Sequence, residues 1–189
     1  QRWDDELLAA MTIPAAMMPT ALPSSAHFGE VRAEWLGAPL TIGDVKRHVR
    51  RLLIDHDLEH SGDFIFSQGR DAGVPHNQGN ADEAVQLGRS IIIDIFPRRP
   101  AGYYHDMTRT WSLGYASDEV IEAWQQCKEV FDRVMALAAV GRACSDYQIM
   151  TCEYFEKKGH KTVLNHSGTK EGYVHSLGHG IGLDVHEEP

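Results

Sequence analysis

At 189 residues, with 42% apolar and 24% charged side chains, the chain has the length and composition of one globular domain with a sizeable core. A net charge of −9 argues against a nucleic-acid partner, which calls for a basic patch, and no apolar run is long enough to suggest a membrane span. Cys127, Cys144 and Cys152 form no CxxC pair, and their odd number suits reduced thiols in a cytoplasmic protein. No charged segment leads into an apolar run as in a signal peptide, and a first residue other than Met suggests that an earlier segment is missing.

Residues 1–40 are punctuated by Pro14, Pro19, Pro23 and Pro39 and read as an irregular helical lead-in with a loop. Residues 41–189 read as the main domain. Thr41 offers an N-cap with Asp44 in the first turn, and Val45, Val49, Leu52 and Leu53 make one apolar helical face. "DFIFS", Asp63 to Ser67, reads as a short strand, and "SIIIDIFP", Ser90 to Pro97, as a buried one. "AGYYHDMTRTWSLG", Ala101 to Gly114, alternates like a further strand, joined to the previous one by a turn over Pro97 to Pro100. A long helix follows, capped by Ser117, with Asp118 and Glu119 in its first turn and Gly141 at its end. Its expected buried stripe is Val120, Trp124, Cys127, Phe131, Val134 and Leu137. Another helix spans roughly Ser145 to Lys158 and stops at Gly159; short strands and glycine loops make up the rest. This order predicts an α+β domain with an antiparallel sheet.

Asp94 interrupts an isoleucine-rich strand, and burying a carboxylate there is costly unless a cation or strong donors meet it. Period two would instead put Asp94 on a solvated face, but its companions on that face, Ile92 and Phe96, are apolar. Asp106 lies in the next predicted strand, and a hairpin would bring the two acids near one another. Two bare carboxylates repel, so a divalent cation between them resolves the arrangement. The plain alternative makes Asp106 an exposed residue paired with Arg109.

Four of the eleven histidines, His166, His175, His179 and His186, lie in the closing stretch that ends "HSLGHGIGLDVHEEP", a density that composition does not explain. His175 and His179 are spaced for one face of a helix or strand, and Gly178, Gly180 and Gly182 argue against the helix. A helical zinc motif of the HExxHxxGxxH type fails here: Ser176 replaces its glutamate, His186 comes one position late, and the helix is missing. GxGxxG is not matched either, which argues against a dinucleotide site.

Together, "IIIDIFP", "GYYHDMTRTW" and "HSLGHGIGLDVHEEP", with "GVPHNQGN" upstream, resemble the metallopeptidase family with the pita-bread fold, which includes methionine aminopeptidase, Xaa-Pro aminopeptidase and prolidase. The resemblance runs from about Thr41 to Pro189 and is closer to the Xaa-Pro peptidases. It implies an antiparallel sheet with helices on its outer face, incomplete at the C-terminal end, and two divalent ions on the concave side. Asp94, Asp106 and His179 would be metal ligands, His175 and His186 would hydrogen-bond the substrate carbonyl or the tetrahedral intermediate, and His76 would line the substrate pocket. Such ions acidify water and polarise the scissile carbonyl, and carboxylates with one imidazole suit Mn²⁺, with Co²⁺, Zn²⁺ or Fe²⁺ as alternatives. The implied substrate is a peptide with proline at its second position, and the family often forms homodimers.

The family's remaining ligands are two glutamates on strands after the "HEEP" turn, beyond Pro189. The expectation is therefore an active parent and an inert isolated piece. Glu187 and Glu188 would lie on the turn outside the centre. The loop between Asp94 and Asp106 is slightly longer than usual, and His105 stands where many members have a small residue. The alternatives are a paralogue that has lost catalysis and serves as a binding module, and a metal-free amidinohydrolase of the creatinase type, against which Asp94 and Asp106 both speak.

Overall fold

The first strong local signal becomes the best-formed helix end. The Thr41 hydroxyl accepts the Asp44 N–H at 3.1 Å, and the Asp44 carboxylate accepts the Thr41 N–H at 3.0 Å. This reciprocal box satisfies two of the donors that a helix start leaves open. The structure, a computed structural model, describes residues 34–35 and 38–188, within the unit Ala33–Pro189. The expected lead-in over 1–40 therefore falls largely outside the described residues. Its described part forms a two-stranded antiparallel ladder, β1 (Glu34–Trp35) with β2 (Ala38–Pro39).

Helix α1 runs Ile42–Asp55. It turns Ile42, Val45, Val49 and Leu53 toward a three-stranded sheet, while Leu52, expected on that face, is left 44% exposed at its margin. The centre of the buried stripe carries a charge instead: Lys46 is only 3% exposed. Its Nζ lies 2.8 Å from Asp63 Oδ2 and 5.5 Å from the centre of the Phe64 ring, and Arg50 bonds the other Asp63 oxygen. A buried ammonium is tolerable on those terms.

The sheet is antiparallel throughout, in the order β3 (Ile65–Gln68), β4 (Ser90–Ile95), β5 (Met107–Ser112). Alternation along β4 sends Ile91 and Ile93 into the core with Ile42, Phe64 and Phe66, and turns Ile92 and Asp94 to the other face. Two strand starts differ from the sequence reading. The strand expected at Asp63 starts at Ile65, because Asp63 is engaged by Lys46 and Arg50. The strand expected from Ala101 starts at Met107, because the turn comes later than Pro97 to Pro100, where the Gly102 N–H reaches the Arg99 carbonyl at 2.8 Å, and the arms beside it also bond Glu59 and Gly182. Asp106 thus sits just before β5, not within it.

The second core belongs to two helices, α2 (Asp118–Leu137) and α3 (Cys144–Lys157). Ser117 caps α2 as expected, its hydroxyl accepting the Val120 N–H at 3.4 Å. The stripe expected to be buried is not: Trp124, Phe131 and Leu137 are exposed, and Cys127 faces solvent with them. The neighbouring, more polar face packs on α3 instead. There Val130 meets Tyr154 and Phe155, with Tyr173 against them, Glu129 accepts from the Tyr154 hydroxyl at 2.7 Å, and Gln126 bonds His160 at 2.7 Å. Among the described residues nothing covers the apolar stripe. Beyond α3 the expected short strands reduce to isolated bridges, Thr162 with Tyr173 and Gly180 with Glu187. No described helix is long and apolar enough to cross a membrane.

Thr41→Ala removes the cap and should cost about 1 kcal/mol in chemical unfolding; an unchanged midpoint would mean that the box carries no stability. Burial opposes ionisation of Asp63, yet Lys46 and Arg50 outweigh it and hold its carboxyl below the usual range. The ionised pair therefore stabilises the fold above the unfolded carboxylate range, and that stability is lost as pH falls through the lowered folded pKa. Asp63→Asn should cost about 2 kcal/mol at pH 7, less than a fully buried pair because Asp63 stays partly in water. It should also flatten the acid limb of a melting-temperature profile, and a parallel profile would exclude the linkage.

Candidate functional site

The outward face of β4 forms the wall of an open cleft of about 460 Å³. Asp94 sits opposite Ile65 on β3 and Thr108 on β5, so Ile92, Asp94, Phe96 and Thr108 share that wall. All six candidate residues, His76, Asp94, Asp106, His175, His179 and His186, line this one cleft, although they come from segments far apart in sequence.

Asp94 Oδ1 is buried and has no hydrogen-bond partner. Burial raises the carboxyl pKa above its ordinary value, and the nearby Asp106 carboxylate pushes the same way against the Thr108 hydroxyl. Such an acid is paired only in part, and a cation beside it would repay its desolvation. Asp106 reaches across the cleft instead: its Oδ2 is 3.1 Å from His179 Nε2, rather than paired with Arg109, whose guanidinium bonds the Thr108 carbonyl.

His179 Nδ1 lies 2.9 Å from the Gly180 carbonyl oxygen. A carbonyl can only accept, so Nδ1 donates in that bond and Nε2 is the nitrogen that faces the carboxylate. His175 Nδ1 likewise bonds the Ser176 carbonyl at 2.9 Å. The rings of His179 and His186 are 4.3 Å apart, and those of His76 and His175 are 5.4 Å apart.

Backbone geometry brings these side chains in. Gly79 (φ +78°) presses so closely on β3 that a Cβ would lie 2.1 Å from the Phe66 carbonyl oxygen, which seats the loop carrying His76. His76 itself is left-handed, at φ +61°, an uncommon conformation for a residue with a side chain. At the other wall Gly180 and Glu187 exchange backbone bonds of 2.8 and 2.9 Å, folding "HGIGLDVHE" back on itself. No helix forms there, as the glycines predict. Glu187 turns inward on the same fold, its Oε1 accepting the Asp184 N–H at 3.0 Å.

The donor set suits a divalent cation: two carboxylates, one of them with an orphaned buried oxygen, and an imidazole whose Nε2 faces one of them. The side chains nevertheless stand apart; among the described residues no three His, Cys, Asp or Glu are set to hold an ion. Sequence reasoning passes over Thr108, although it lies two positions from Asp106, and over His60. His60 accepts the Phe96 N–H on Nε2 at 3.2 Å and packs on the Phe96 ring at 4.2 Å, beside the wall that carries Asp94. "EHSGD" reads as a polar surface loop, and nothing local announces that its imidazole is drawn under a strand end.

Three likenesses bear on this geometry. The chain is 28% identical over 156 residues to a probable dipeptidase PepE of Mycobacterium tuberculosis, covering 82% of this chain and 39% of that protein. It is 27% identical over 132 residues to an Xaa-Pro dipeptidase of Lactobacillus delbrueckii, covering 70% of this chain and 33% of that one. Among solved structures, the X-Pro aminopeptidase of Thermotoga maritima superposes with a TM-score of 0.67 at 28% identity, over 79% of this chain and 40% of that one. The chain thus spans between a third and two fifths of the length of these relatives, 33% for the Xaa-Pro dipeptidase and 39% for PepE. The sequence pattern of metallopeptidase family M24 matches residues 21–189, and with the pita-bread architecture it shares with these proteins, the chain belongs to that family.

Proposed function

We propose that the protein hydrolyses the bond between an amino-terminal residue and a following proline, using two divalent ions held in part by Asp94, Asp106 and His179. The observation that carries this reading is the buried, partnerless Oδ1 of Asp94 in the same cleft as Asp106 and the Asp106-facing Nε2 of His179. Bound divalent ions supply Lewis acidity toward a carbonyl and lower the pKa of water. The chain's own side chains bind and orient. Asp94 and Asp106 would help to hold the ions, whose charge would offset the repulsion between the two carboxylates. His179, its Nδ1 anchored on Gly180, would present Nε2 in a set orientation, as a backbone-bonded imidazole ligand does.

His175 and His186 flank the centre and would hydrogen-bond the substrate carbonyl and the charge that develops on it. His76 lines the remaining wall with the apolar Val74, Pro75, Ile92 and Val185, a surface suited to a proline ring. Mn²⁺ is the ion of this reading, with Co²⁺, Zn²⁺ and Fe²⁺ compatible with the same donors. Three unpaired thiols agree with a cytoplasmic setting. The resemblance adds a homodimer. The open stance of the candidate ligands supports a second reading, a partner-binding paralogue without catalysis.

The protein at full length should release the amino-terminal residue from Xaa-Pro peptides only with divalent ions present. Asp94→Ala or His179→Ala should each lower kcat/KM by at least about a hundredfold. Full activity in chelator, or in either variant, would remove the metal assignment; metal binding without hydrolysis would favour the binding module. Stability supplies an independent check. Because burial and Asp106 raise the Asp94 pKa, ionising this carboxyl costs the metal-free fold stability as pH rises past the unfolded carboxylate range. Asp94→Asn should therefore raise the metal-free melting temperature at pH 7 while abolishing the upward shift that Mn²⁺ gives. A lower metal-free melting temperature would show Asp94 already satisfied.

A further inference from the structure

The loop between Asp94 and Asp106 is tied at more points than a surface connection needs. Arg98 exchanges backbone bonds with Glu59 at 2.9 and 2.8 Å, and its Nε donates to Glu59 Oε2 at 3.2 Å. The same residue bridges to Tyr104 across the loop, and its guanidinium lies 4.9 Å from the centre of the Tyr104 ring. Tyr104 in turn sends its backbone N–H to the carbonyl oxygen of Gly182 at 2.9 Å. Gly182 lies midway between His179 and His186.

We propose that Arg98 is a positioning residue for the histidine loop, acting through Tyr104 on Gly182. The physical case rests on how little else holds that loop to the loop between the two acids. The Gly180–Glu187 bonds fold it on itself but do not tie it to the hairpin of β4 and β5. The His179–Asp106 contact also joins them, but it runs between two of the candidate ligands themselves. The Tyr104–Gly182 bond is a neutral backbone link that engages neither. Its donor is steadied by a guanidinium stacked on the ring and anchored to Glu59, a contact in which the cation and its planar shape both count. The loop that leads to Asp106 and the loop that carries His179 are thereby held to one another before any ion arrives, which lowers the ordering cost of binding one.

This inference rests on the metal reading for its consequence but not for its geometry, and two measurements on the full-length protein separate them. By hydrogen exchange, Arg98→Ala should speed exchange of the Tyr104, Gly180 and Glu187 amides about tenfold, with Arg98→Lys in between. By calorimetric titration with Mn²⁺ alone, Arg98→Ala should weaken affinity about tenfold, as loss of an outer-shell support does. Unchanged exchange at all three amides would overturn the proposal, whatever the protein does with metal. So would faster exchange with unaltered Mn²⁺ affinity, since the loop would then need no positioning. If the wild type itself takes up no Mn²⁺, the functional reading falls, and faster exchange in Arg98→Ala still establishes Arg98 as the residue that holds the loop.

Discussion

The site depends on the alternation of one strand. β4 is central in its sheet, hydrogen-bonded on both edges, and its odd-numbered Ile91 and Ile93 are buried against Phe64, Phe66 and Ile42. Their burial fixes the register, because a slip of one residue would carry Asp94 into that core and two isoleucines into the cleft. With the register held, Ile92, Asp94 and Phe96 form the cleft wall, and pairing with β5 sets Thr108 opposite Asp94 and leaves Asp106 within reach across the ladder. The cost of the arrangement falls on Asp94, whose carboxyl has more burial than hydrogen bonding. A perturbed acid in a cleft is a candidate functional group, and a cation between it and the neighbouring acid would relieve both.

The rest of the cleft is assembled by backbone rather than by packed side chains. The histidines stand on loops rather than on the sheet. Their positions come instead from close approaches that only glycine permits at Gly79 and Gly180, from the inward-turned Glu187, and from the chain of contacts Glu59, Arg98, Tyr104, Gly182. Loops on a firm sheet are where binding groups are commonly found, and bonds between loops limit how far such groups wander. The two cores mirror this division: the sheet with α1 carries the acids, while α2, α3 and Tyr173 pack separately and carry none of the cleft residues.

Much of this architecture is legible in the order of the residues. The cap at Thr41, the alternation of β4, the glycine veto on a helix at His175–His179 and the order of the motifs are local features, and local features are written in adjacent residues. Together with the family resemblance that the motifs carry, they point to six of the side chains that line the cleft. Where the sequence misleads, the deciding contact is distant. Periodicity selects the apolar stripe of α2 as its buried face, but α3 docks on the adjacent face, where Gln126, Glu129 and Val130 find His160, Tyr154 and Phe155. Nothing adjacent to Lys46 marks it as buried, because its partner, Asp63, lies on another segment. His60 and Arg98 carry no signal for the same reason: each matters through a residue brought to it by the fold. Sequence by itself determined the family, the candidate side chains and the local shape of the elements, since these follow from side-chain type, motif order and short-range periodicity. Only the tertiary structure decided which faces are covered and which loops hold one another, because those choices depend on contacts between residues far apart along the chain.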